Sequence, residues 1–114
     1  MLTNQWETLS LFEQLGNIGA EVARTRHWQG KDTESFWRSV ERTLELFYRT
    51  LDDPRWRTVS QKGRHKEIVR AREVFCDAVL GGPEYQSSLE GLMPYFIFFA
   101  IAARKKATPF NYAF

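Results

Sequence analysis

The chain is short of the residues that most metal, disulfide and membrane chemistry needs. Among 114 residues there is one cysteine, there are two histidines, and no apolar run exceeds the 12 residues of "LMPYFIFFAIAA" at 92–103. A lone cysteine excludes an internal disulfide. Cys76 lies within an apolar-periodic segment and is expected to pack as a small hydrophobe. Zinc needs four ligands, usually Cys or His, so no metal site is expected. A di-iron bundle needs Glu three residues before an inward His, but Arg24 precedes His27 and Lys62 precedes His65 at that distance. His65 and Cys76 lie about 16 Å apart by helical rise, too far for a dyad within one chain. Neither G-x-x-x-x-G-K-[ST] nor G-x-G-x-x-G occurs, so no known phosphate cradle or cofactor motif is present. A membrane span needs about 20 apolar residues, so no membrane partner is expected. No basic start leads into a signal-like apolar run, and a cytoplasmic location is the expectation.

What the chain does have is aromatic bulk and helical periodicity. Four Trp, four Tyr and nine Phe make 17 aromatic residues, ample for core or interface anchors. Leu11, Leu15, Ile18 and Val22 recur at 4, 3 and 4, one face of a first helix over about 5–28. Leu9 and Phe12 widen that face, while Gly16 and Gly19 within it point to close approach by a neighbouring helix. A second helix, about 33–52, follows an N-cap at Asp32 or Thr33 and carries Phe36, Val40, Leu44, Phe47 and Leu51, with Trp37 and Tyr48 flanking. Pro54 stops it. A third, about 64–80, buries Ile68, Ala71, Phe75 and Val79 beside Val69, Cys76 and Leu80, and Gly81 suits the left-handed residue after its end. The fourth, about 88–105, starts at a Ser87–Glu90 capping box and should be the most buried. Pro94 either kinks it or sits at its first position. "RKK" at 104–106 suits its C-terminus. An aromatic tail, 108–114, follows and should dock on the bundle or on a partner. With short connections between helices one and two and between three and four, the chain should be one all-α domain over 1–114, an up-down-up-down four-helix bundle.

Charge is unevenly spread. Residues 1–54 hold nine acids and six bases, net −3; residues 55–73 hold seven bases and two acids, net +5; residues 74–114 balance at three each. The basic segment includes Arg55, Trp56, Arg57, Arg64, His65 and Lys66, residue types that can pair phosphates and stack on a base. Trp56 can equally be an anchor that pins residues 52–63, a connection long enough to be partly helical or functional. Glu67, Arg70, Glu73 and Asp77 fall at 3, 3 and 4 in a charged strip on the third helix, and Glu21 and Arg24 lie on the first. Glu21, Arg24, Glu67, Arg70 and Glu73 could line one interhelical polar groove that fixes register.

"QLGNIGAEVAR…W", "ERTLELFYRTLDDPR" and "KEIVRAREVFCD" together resemble a family of small uncharacterised prokaryotic helical proteins over about residues 12–104. More loosely, size and layout resemble the HEPN superfamily. That resemblance implies helical dimers, often paired with a minimal nucleotidyltransferase in toxin–antitoxin modules, with metal-free RNA cleavage in active members. The R-x(4–6)-H motif of those active members is absent. Ala20, Glu21 and Val22 stand before His27, Thr58, Val59 and Ser60 stand before His65, and Arg57 is one residue too far. No catalytic residue is therefore assigned. The reading is a non-enzymatic bundle acting through protein contacts as a homodimer or with another protein partner. The alternative is an RNA-binding or RNA-processing protein.

Overall fold

Ser10 decides where the first long helix begins. Its hydroxyl accepts the Glu13 N–H at 3.1 Å while the Glu13 carboxylate accepts the Ser10 N–H at 2.8 Å, a reciprocal capping box. In the computed structural model, which describes residues 3–107 and their side chains over 5–98, the expected first helix is therefore split. A short α1 (Thr3–Trp6) precedes α2 (Leu11–Trp28). α3 (Thr33–Leu51), two single 3₁₀ turns (Pro54–Trp56 and Val59–Gln61), α4 (Lys62–Val79) and α5 (Leu89–Ala107) follow. The described chain is all-helical, and its four long helices pack into a four-helix bundle.

The expected stripes supply the core. Leu11, Leu15, Ile18 and Val22 from α2 meet Phe36, Val40, Phe47 and Leu51 from α3, Ile68, Ala71 and Phe75 from α4, and Leu89, Leu92 and Phe96 from α5. Phe47 stands at the centre, its ring 6.0 Å from that of Phe75 and 6.0 Å from that of Phe96. Gly19 is obligatory: a β-carbon there would overlap the Phe96 side chain, so α2 and α5 approach as the glycine pair implied. α2 packs extensively on both α3 and α5, and α4 packs less extensively on those same two helices.

Several expectations need correction. Cys76 and Leu80 are exposed, because the buried face of α4 is narrower than the two-stripe pattern. Trp37 and Tyr48 are also exposed. α5 is not the most buried helix over its described part, since Ile97 and Phe98 face outward. The side chains of residues 99–107, "RKK" among them, lie outside the described side chains, and the tail 108–114 lies outside the described residues. Pro94 neither starts α5 nor breaks it. It sits on an exposed face inside the helix and leaves the Glu90 carbonyl without its N–H partner.

The Ser87–Glu90 box gives way to Ser88, whose hydroxyl accepts the Gly91 N–H at 3.0 Å. Ser87 is used elsewhere, donating to Asp77 at 2.7 Å. Asp77 is consequently buried and not part of a solvated charged strip. Its carboxylate also accepts the N–H groups of Glu84 at 2.7 Å and Tyr85 at 3.1 Å. Burial alone would raise its pKa, but these hydrogen bonds outweigh it and hold the carboxyl below its ordinary range. Gly81 takes the expected left-handed position (φ 96°), and the Gly82 N–H closes back on the Asp77 carbonyl at 2.8 Å.

Candidate functional site

The connection from α3 to α4 is held by a buried polar network. Gln14 lies on the core face of α2 and is fully buried. Its amide nitrogen donates to the Trp6 carbonyl at 2.8 Å and to Asp53 Oδ2 at 3.2 Å, and its amide oxygen accepts the Trp56 indole N–H at 2.9 Å. A carbonyl and a carboxylate can only accept and an indole N–H can only donate, so the orientation of that amide is forced. The Trp6 indole N–H donates to Thr50 Oγ1 at 3.2 Å, tying the residues before α2 to the end of α3.

Asp53, 1% exposed, is the counterpart of Arg55. The guanidinium grips both carboxylate oxygens, from Nε at 3.0 Å and Nη2 at 2.7 Å, and Nη2 also donates to the Leu9 carbonyl at 2.8 Å. Burial would raise the Asp53 carboxyl, but Arg55 and Gln14 together hold it below the ordinary carboxylate range. The same pairing raises the Arg55 pKa. Arg55 also lies over the Trp56 ring, 4.5 Å from its centroid. Arg55 is thus committed to the fold, and Trp56 is the anchor that pins this connection while leaving part of its ring at the surface.

On that pinned segment opens a cleft of about 480 Å³. One wall is Trp56, Arg57, Thr58 and Val59; the other is Lys62, His65 and Lys66 from α4. Positions 62, 65 and 66 share one helical face, so the cations converge. His65 is oriented by a 3.0 Å hydrogen bond between Nε2 and the Leu51 carbonyl. The acceptor has no hydrogen, so Nε2 carries the proton and Nδ1 is left as the other ring nitrogen. Arg57 meets Asp52 at 3.3 Å in a solvent-exposed pair. Among the described residues Lys62 and Lys66 form no ion pair. Of the six residues singled out from the sequence, Trp56, Arg57, His65 and Lys66 therefore meet in one cleft. Arg64 lies instead over Phe12, 5.4 Å from the ring centroid, beside a neighbouring depression that Trp56 also lines. Lys62 joins the cleft because α4 begins at Lys62, two residues before the expected start at 64, which sets it on the same helical face as His65 and Lys66.

The second expected group is divided. Glu21 and Arg24 meet at 2.6 Å and line a groove of about 240 Å³ with Trp28, Arg38 and Arg42, so their neighbours come from α3. Arg42 is 3.6 Å from Glu21, whose other oxygen is buried without a hydrogen-bond partner. Glu67, Arg70 and Glu73 stand exposed on α4 and do not line that groove; Arg70 covers the Tyr85 ring at 4.6 Å.

Among the described residues no group of three or more His, Cys, Asp or Glu is placed to hold a metal ion. Nor is any described helix long and apolar enough to cross a membrane. Compared with protein-family models, curated proteins and solved structures, the chain shows no match to any of the three.

Proposed function

We propose that this protein is a small helical module that binds nucleic acid through the cleft between the 3₁₀ turns and α4. The observation that carries the reading is the convergence of Arg57, Lys62, His65 and Lys66 beside the partly open Trp56 ring. Three fixed cations and a histidine suit phosphates, and an indole face suits a base. The first turn of α4 adds support. It holds no acidic residue and its N-cap, Gln61, makes no side-chain cap bond. Cations there face the positive end of the helix dipole, an arrangement that an anion relieves. The loose resemblance to the HEPN superfamily, whose active members cleave RNA, runs in the same direction. Without the R-x(4–6)-H motif the role is binding and not cleavage.

The test is fluorescence anisotropy of a labelled oligouridine at 50 mM salt, repeated at rising salt. Three phosphate contacts to a single strand should give a slope of about −2 in log affinity against log salt. Absence of binding at 50 mM salt rejects the reading.

A second reading, a homodimer or a protein-contact module, has its own observation. Ile97 and Phe98 are 49% and 67% exposed on α5, and Ile97 borders an apolar groove between α2 and α5 lined by Gly16, Ala20, Ala23 and Met93. Light scattering at high micromolar concentration distinguishes a dimer, and a strict monomer counts against self-association.

A further inference from the structure

The basic cleft does not end at His65. A second depression, about 280 Å³, shares Arg57 and His65 with it and continues past Asp52 to Arg72 and Tyr48. Lys62, His65, Lys66, Val69 and Arg72 step along α4 by 3, 1, 3 and 3, a single face. At 1.5 Å per residue that face is about 15 Å long. Tyr48 is 63% exposed, so its ring lies on the surface of α3 and not in the core. An aromatic ring thus borders each depression, Trp56 the first and Tyr48 the second, with cations between them. The fixed charges are Arg57, Lys62, Lys66 and Arg72 against Asp52, four minus one, or +3.

We infer that the two depressions form one track for single-stranded nucleic acid, in which Tyr48 is a second stacking surface and Arg72 a fourth phosphate contact, beyond the three of the first cleft. The inference rests on the reading that the first cleft binds nucleic acid. A single strand is favoured over a duplex because aromatic side chains stack on base faces, and a duplex keeps those faces covered. Asp52 opposes the track, but its pair with Arg57 is exposed on both sides and weak, so a phosphate can take its place.

Anisotropy with a labelled oligouridine, a duplex of equal length, and inorganic tripolyphosphate as competitor tests this. Tyr48→Ala, at an exposed helical position, should weaken the single strand about tenfold, as loss of one base–aromatic stack does, and leave the tripolyphosphate constant unchanged. Tyr48→Phe should restore binding, and Arg72→Gln should make the salt slope shallower by about 0.7. A duplex that binds as tightly as the single strand, or an unchanged single-strand affinity in Tyr48→Ala, overturns the track while the first cleft still stands. Failure of the unaltered protein to bind any of the three probes overturns both.

Discussion

The two ends of α4 solve the same electrostatic problem differently. Each carries charge of the sign its helix dipole disfavours: Lys62 and its neighbours at the positive N-terminus, Asp77 in the last turn at the negative end. At the C-terminal end the penalty is met within the chain. The next connection folds back so that Glu84, Tyr85 and Ser87 donate to the carboxylate, and glycines at 81 and 82 permit the turn. At the N-terminal end no acid occupies the first turn, and Lys62 and Lys66 have no ion-pair partner among the described residues. Wrong-sign charge with internal partners is architecture. Wrong-sign charge without them, lining a cleft beside an aromatic ring, is the better candidate for function.

The strongest way to break this contrast is to remove the aspartate that does belong to the architecture near the open end. Asp53→Ala leaves Arg55 without its carboxylate and Gln14 without one acceptor, so it should destabilise by about 2–3 kcal/mol. The figure is set below the ~3–5 kcal/mol of a fully buried pair because the Arg55 side chain is 39% exposed. Urea unfolding measures it, and a loss under about 0.5 kcal/mol would mean the network is ornamental. Next in size is Gly81→Ala, which forces a β-carbon into φ 96° and should cost about 1–2 kcal/mol.

Acid should act on both ends together. Asp53 and Asp77 both have lowered folded pKa values. Their contributions are therefore complete above the ordinary carboxylate value of about 4 and disappear as pH falls through the folded values. Stability measured from pH 7 to pH 2 should fall on that limb, and less steeply in Asp53→Asn and Asp77→Asn. An identical limb in the double variant would remove linkage as the cause.

How much of this the sequence discloses differs by element. The stripes of α2 and α3 are legible because Leu11 to Val22 and Phe36 to Leu51 repeat at helical spacing, and burial follows period. Gln14 shows why polar exceptions are not. It falls on the core face, three after Leu11 and four before Ile18, but its partners Asp53 and Trp56 lie 39 and 42 residues away. Asp77 fits a charged strip by spacing until the connection to α5 covers it, a tertiary event that local pattern does not encode. Cys76 and Leu80 err the other way: their apolar spacing is real, but that flank of α4 is exposed among the described residues. Within the cleft, Trp56, Arg57, His65 and Lys66 are legible as a basic cluster around an aromatic residue. Tyr48 and Arg72 are not, because only the fold sets α3 beside that face of α4.

The smallest effect on stability makes the sharpest test, because its sign differs between architecture and function. Lys62→Glu places an acid in the first turn of α4, where the dipole favours it by about 0.3–1 kcal/mol. If Lys62 is held for the fold, the variant loses stability. If it is held for a ligand, the free variant should melt about 2–5 °C higher than the unaltered protein. Saturating oligouridine should then reverse the order, since a ligand's stabilisation grows with the logarithm of its concentration over Kd and the variant has exchanged a phosphate contact for a repulsion. Melting curves of both proteins with and without the oligonucleotide contain the whole comparison. Crossing of the two orders assigns the unpaired end of α4 to binding, while a variant that melts lower under both conditions assigns it to the fold.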